Sequence, residues 1–137
     1  MSADRAFAAG VRAAAMADAG VKALLGDPAR VYDDPPPDVV FPYLTIGRVE
    51  SRPADSAAAE ALEHALTLHV WSRYGGRAET LDVIGALRGA LHNAALAVEG
   101  RRLVFLFAQF ADVFRSGDGR TTHGVLRLRA LTEPTED

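Results

Sequence analysis

Leu66, Leu68 and Val70 alternate with Thr67, His69, Trp71 and Arg73 in the stretch HALTLHVWSRYGGR, residues 64–77. A period of two sends successive side chains to opposite faces of a strand, so residues 62–73 predict a strand with one apolar and one mixed face. Trp71, the only tryptophan in the chain, falls on the mixed face. Two covers would suit it: a helix or loop of the same chain, or another subunit.

The same patterning divides the rest of the chain. Ser2 suits a helix N-cap, and Phe7, Val11, Ala14 and Ala15 recur at helical spacing, which predicts a helix from residue 3 to about 16. Its alanine-rich side can lie close on a sheet but buries little area per residue, so tertiary contacts must hold it. Asp18 caps a second short helix through Val21, Leu24 and Leu25, which Gly26 ends and Pro28 keeps from resuming. The consecutive prolines Pro35–Pro37 lack backbone donors and make RVYDDPPPDVVFPY an extended connector.

Residues 43–50, YLTIGRVE, then read as a first long strand. Ser51 to Ala61 reads as a loop with little to bury, expected to be mobile in an isolated subunit and ordered against a neighbour. After the strand at 62–73, Tyr74, Gly75 and Gly76 turn the chain. Leu81, Ile84, Leu87 and Leu91 keep a 3.6-residue spacing that predicts a helix from Ala78 to about Asn93. A short arm turning at Glu99 and Gly100 leads into a long strand, SGDG at 116–119 is a turn, and TTHGVLRLRAL is the last strand. The order α-(α)-β-β-α-β-β predicts one α+β domain over residues 1–132, with helices on an antiparallel or mixed sheet of about four strands. Residues 133–137 read as a flexible tail.

The final hairpin can be sorted by face. A turn centred on Gly117 to Gly119 sets even positions of one strand beside odd positions of the other. On that register Leu103, Phe105, Phe107 and Val113 join Leu126, Leu128 and Ala130 on a core face. Val104, Leu106, Phe110 and Phe114 join His123, Val125, Arg127 and Arg129 on the other. Guanidinium groups stack on rings and arginine stems cover apolar surface, a mixture suited to a subunit interface and also to an amphipathic solvent face.

Composition narrows the choice of function. With 137 residues, 49% hydrophobic and 24% charged, the chain has room for one domain and one core. A net charge of -3 without a basic cluster argues against nucleic-acid binding, which needs enough positive charge to displace counterions from phosphate. The absence of cysteine excludes disulfides and thiolate metal sites. Asp4, Arg5, Arg12 and Asp18 interrupt the alanine-rich start, so no apolar run long enough for a signal peptide or a membrane span is expected, and the chain reads as cytoplasmic or as part of something assembled there.

Candidate chemistry is sparse. His64 and His69 are five apart in a strand and point to opposite faces, so they cannot share a metal. His92 sits near a helix C-terminus, where the dipole favours it. Asp112 and His123 share a face, and one of two registers sets them opposite each other, but no nucleophile accompanies them. YGGR at 74–77 precedes a helix and matches neither the P-loop nor the dinucleotide fingerprint. Glu60 and Glu63 flank a loop with no paired carboxylate at a defined distance. No catalytic, cofactor or metal residue is assigned, and the chain is not expected to be an enzyme.

Taken in order, LLGDPARVYDDPPPDVVFPYLTIG, EHALTLHVWSRYGG, ETLDVIGALRGAL and GDGRTTHGVLRLRAL give the chain a layout that resembles the tail terminator, or tail completion, family of long-tailed bacteriophages and gene transfer agents. The resemblance spans residues 1 to about 132; its most specific pieces are VYDD followed by FPYLTIG, the HVWSR strand running through YGG into a helix, and THGVLRLRA. It implies an α+β subunit of a hexameric ring at the head-proximal end of the tail tube, which ends tube polymerisation and meets a head-side connector or stopper protein. It implies no catalytic residues and no cofactor, and a place in the neck of a particle assembled in the bacterial cytoplasm. A ring-forming subunit needs side-facing patches that join unlike surfaces around the circle. Strand periodicity, not the resemblance, nominates Trp71, Arg73, Phe110, Arg127 and Arg129 for such patches. Another neck component, such as a head-closure protein, would share these features, and a small-molecule-binding or enzymatic α+β domain would require a buried polar pocket.

Overall fold

A computed structural model describes residues 1–54 and 60–135. Helix α1 spans Ala3–Ala17, with the Ser2 hydroxyl accepting from the Arg5 N–H at 3.1 Å and Asp4 in the first turn, both suited to the orphan donors of a helix start. Asp18 plays the same part for α2, Ala19–Leu25, accepting from the Val21 N–H at 3.0 Å. Gly26 ends α2 with φ at 92°, a conformation that a side chain resists. The remaining elements are β1 (Val31–Tyr32), β2 (Tyr43–Pro53), β3 (Leu62–Ser72), α3 (Ala78–Leu91), β4 (Arg101–Arg115) and β5 (Thr122–Pro134).

The strands form one sheet in the order β1-β2-β3-β5-β4. Every neighbouring pair is antiparallel except β1 with β2, so the sheet is mixed and the fold is α+β. Five strands replace the expected four, because the proline-rich connector begins with the two residues of β1 beside Leu44 and Thr45. The Leu44 N–H reaches the Arg30 carbonyl at 2.9 Å, which seats that short strand.

The helices cover one face of the sheet. Phe7, Val11, Leu25, Leu87 and Leu91 meet Leu44, Leu66, Leu68, Leu126 and Leu128, all 0% exposed. Burying each such side chain contributes about 1.5–3 kcal/mol, which is how an alanine-rich α1 is held in place. Gly124 allows the close approach of α3: a Cβ there would stand 2.7 Å from the Thr80 methyl and 3.3 Å from Ile84. On α3 the inward positions are Thr80, Val83, Ile84, Leu87 and Leu91, whereas Leu81, expected on the apolar side, is 53% exposed.

His64 lies in this core, 0% exposed, stacked on Phe7 with ring centroids 4.9 Å apart. Its Nδ1 is 2.9 Å from Asp4 Oδ1 and its Nε2 is 2.7 Å from Thr132 Oγ1, which also accepts from Arg101 Nε at 2.7 Å. The order Asp4, His64, Thr132 has the outline of a catalytic triad, but Thr132 is 0% exposed and shared with Arg101. The group works as a clasp that pins the start of α1 to β3, β4 and β5.

Two predicted boundaries move, and one assignment of faces changes. Strand β2 continues through Ser51–Pro53 rather than ending at residue 50, while residues 55–59 of the expected mobile loop lie outside the described residues. Strand β5 runs on to Pro134, with Glu133 opposite and ion-paired to Arg102. The third change concerns faces. Strand β4 carries register shifts between Leu103 and Phe105 and between Ala108 and Phe110. An extra residue at the first shift flips the alternation, so Phe105 and Phe107 leave the expected core face and Leu106, 1% exposed, enters it. The second shift flips it back ahead of Phe110 and Phe114, which sit on the face foreseen for them.

Candidate subunit interface on the open face of the sheet

The face opposite the helices has no covering layer among the described residues. Along β3 every second residue from His64 to Ser72 is buried under the helices, and the residues between them, including Thr67, His69 and Trp71, are half-buried on the open side. Register aligns one row of rings across four strands: Tyr43 on β2 faces Trp71 on β3, Trp71 faces His123 on β5, and His123 faces Phe114 on β4. The successive centroid separations are 6.4, 4.0 and 4.9 Å. Phe41 extends the row beyond Tyr43 at 5.1 Å, and the Arg73 guanidinium lies 4.4 Å over the Phe41 ring. Aromatic neighbours at these spacings each contribute about 0.5–1.5 kcal/mol beyond burial.

Polar groups fix the row in place. The Trp71 indole N–H donates to Thr45 Oγ1 at 3.0 Å, and His69 Nδ1 lies 2.8 Å from His123 Nε2. Burial lowers the pKa of both imidazoles, and the neighbouring His69 lowers His123 further. Burial raises the Tyr43 phenol, with Arg73 opposing it. Arg73 also approaches Asp118, whose carboxylate accepts from the Arg120 and Thr121 N–H groups and the Thr121 hydroxyl and is held down to about 2.

A second patch lies along β4 and β5. Phe110 faces Arg127, whose guanidinium stands 5.4 Å over its ring, and Phe107 faces Arg129. Arg129 lies 5.4 Å over Phe105 and donates to Glu63 at 2.8 Å, which lowers the Glu63 pKa. Phe107, Phe110 and Phe114 are 39%, 46% and 39% exposed. The five nominated residues therefore fall into two groups: Trp71 and Arg73 in the aromatic row, Phe110, Arg127 and Arg129 in the β4–β5 patch.

Periodicity alone missed much of this site. Periodicity puts His69 and His123 on this face but not beside each other; Tyr43 joins through cross-strand register, and Phe105 and Phe107 through the bulge at Val104. The YLT alternation at 43–45 was the available sign for Tyr43. Of the two registers open to Asp112 and His123, the one that would pair them is not adopted: Asp112 faces Val125, and His123 faces Phe114 and bonds to His69. His92, placed at a helix end for its dipole, caps the end of α3 and its Nδ1 accepts from the Ala108 N–H at 3.0 Å.

No group of three metal-ligating side chains occurs among the described residues, and no described helix is long and apolar enough to cross a membrane. An open polar hollow of about 650 Å³ beside Glu63 has its central carboxylate taken by Arg129 at 2.8 Å and Arg52 at 3.5 Å. What the open face presents is rings and guanidinium groups over a closed core. The family model for tail completion protein gp17 matches residues 9–133, and the chain belongs to that family of phage and gene-transfer-agent tail proteins, which are structural and not enzymes. A curated relative, tail completion protein gp17 of Bacillus phage SPP1, is 31% identical over 102 residues, covering 73% of this chain and 74% of that one. A chain solved within the virion of a native gene transfer agent particle superposes with a TM-score of 0.87 at 27% identity, over 96% of this chain and 98% of that one. The solved bacteriophage SPP1 gp17 protein, 24% identical with a TM-score of 0.64 over 98% of this chain and 92% of its own, shares the fold.

Proposed function

We propose that the chain is a tail terminator subunit. Its copies close into a hexameric ring on the head-proximal end of the tail tube, the ring ends tube polymerisation, and its far side receives the head-side connector. The observation that carries this reading is the uncovered aromatic face, where Phe107, Phe110 and Phe114 stand in water beside Trp71 and Arg127. Apolar area left exposed in the monomer favours association by about 25 cal/mol per Å² once covered. A face that meets a different surface of the next copy gives a head-to-tail contact, and such contacts close into a ring when the rotation between copies closes. A tube end that holds neighbouring copies side by side raises their effective concentration, so contacts that are weak in solution suffice on the tube.

Removal of the gene from a particle-producing strain tests the reading by electron microscopy. The expected result is heads without tails together with tails of irregular or excessive length. Head-joined tails of controlled length would overturn it, and tails of normal length that fail to join heads would assign the chain to head closure instead.

A further inference from the structure

We infer that the His69–His123 pair makes association of the open face proton-dependent: a second copy of this chain covers the face while both imidazoles are neutral and leaves it when the pair takes up a proton. The inference rests on the reading of this face as a contact between copies.

The geometry comes first. With 2.8 Å between His69 Nδ1 and His123 Nε2, one nitrogen must donate and the other accept, so two imidazolium ions cannot share the site. His123 is fixed by its stack on Trp71, at 4.0 Å and 16°, and by Phe114 at 4.9 Å. On the other side, the His69 ring lies over Gly47, where a Cβ would stand 2.6 Å from Nε2. Neither ring can turn its nitrogens away without losing these contacts. The pair sits mid-row among rings, so any surface that covers Trp71 and Phe114 also takes the imidazoles out of water.

The charges around the pair come from four strands, since the helices lie on the opposite face. From β2 come the Tyr43 phenol and the Thr45 hydroxyl, opposite Trp71 and His69. β3 adds Arg73 at its end, near Asp118 at 4.0 Å. β5 adds Arg127, two residues beyond Val125, and β4 adds Asp112, opposite Val125. Two carboxylates, Asp112 and the Arg73-paired Asp118, are thus set against two guanidinium groups, so the surrounding charges balance and burial is what decides the protonation of the pair. Stacking on Trp71 offers a cation some stabilisation, but less than it costs to strip a charge of water under a covering subunit. In the free subunit burial already holds both imidazoles below the usual histidine value. Covering them adds to the same effect, so association expels a proton and weakens as pH falls, by about tenfold per pH unit for each proton excluded.

Sedimentation of the full chain over a concentration series at about pH 8 and about pH 5.5 tests this, with near-ultraviolet circular dichroism at each pH to separate dissociation from unfolding. The expected result is a dissociation constant at least about tenfold weaker at the lower pH. In the double variant His69→Asn and His123→Gln, whose amides replace the two bonded nitrogens without titrating, the ratio of its own dissociation constants at the two pH values should fall to about one. Calorimetry of wild-type association near pH 6 in two buffers of different ionisation heat should show proton release. Wild-type association that is flat in pH, an unchanged slope in the double variant, or no proton release would overturn the inference and leave the interface reading standing. No association at about pH 8 at any accessible concentration would also overturn the inference, which needs copies that meet in solution, and the gene-removal experiment decides the ring reading separately.

Discussion

Trp71 and His123 face each other across β3 and β5, and their rings stack with centroids 4.0 Å apart and planes 16° from parallel. Tyr43 flanks the indole on its other side, and Thr45 takes its N–H. The chain therefore supports Trp71 laterally through its strand neighbours and its one polar atom, while no element of the described chain lies across the open face above it. That division of labour makes the ring a part of the fold that also stands on the open face, and its proposed role as a contact surface is separable from the fold by mutation.

Trp71→Ala should leave a folded monomer. The indole is half-buried and on the face away from the main core, so the expected loss is about 1–2 kcal/mol, below the 3–5 kcal/mol of a fully buried tryptophan. Self-association should fall by at least about tenfold. Chemical denaturation measures the first and sedimentation the second, and a variant that fails to fold would place Trp71 in the core.

Phe110→Ser removes a ring that is 46% exposed and sits under Arg127. Stability should change by no more than about 0.5 kcal/mol, as for surface positions generally, while association weakens. An association constant equal to wild type would take the β4–β5 patch out of the interface.

Stability should fall on acidification through His64. Its burial lowers the pKa below 6.5, against the opposing pull of Asp4. The unfolded chain therefore binds a proton at a higher pH than the folded one, so the contribution is complete above the unfolded value and is lost as pH falls from there toward the folded value. The slope is at most about 1.4 kcal/mol per pH unit for each such group, and His69 and His123 act in the same direction. Denaturation curves at several pH values should show the decline, and His64→Gln should be destabilised by about 1–3 kcal/mol at about pH 8 with a shallower slope below it. A variant as stable as wild type would show that the clasp with Asp4 and Thr132 contributes nothing net.

Gly124→Ala should cost about 1–3 kcal/mol, because its Cβ would meet the Thr80 methyl at 2.7 Å and Ile84 at 3.3 Å, between β5 and α3. Thermal unfolding reads the loss. Adding Thr80→Ser, which removes that methyl, should recover part of it; no recovery would mean that α3 does not approach the sheet as closely as described.

Local physics determined a large part of this protein from sequence alone. Caps at Ser2 and Asp18, the stop at Gly26, the 3.6-residue spacing of Ile84, Leu87 and Leu91, and the strict alternation through Leu66, Leu68 and Val70 each depend on residues a few positions apart, and they located three helices and four long strands. The same alternation set Trp71 and Arg127 on the face away from the core, because strand periodicity survives tertiary context wherever no residue is inserted. The family was legible too, in motifs such as VYDD, HVWSR and THGVLRLRA.

Tertiary structure decided what depends on pairs distant in sequence. The pairing of Val31 and Tyr32 with Leu44 and Thr45 makes a strand of a segment too short to show a period. The bulges of β4 answer to the twist and register of β5, and they moved Phe105, Phe107 and Leu106 between faces. His64 found Asp4 and Thr132, 60 and 68 positions away, and His69 found His123 54 positions away. A single sequence carries no signal for such pairs, since their geometry is fixed by the stacking of whole strands and not by the residues beside them.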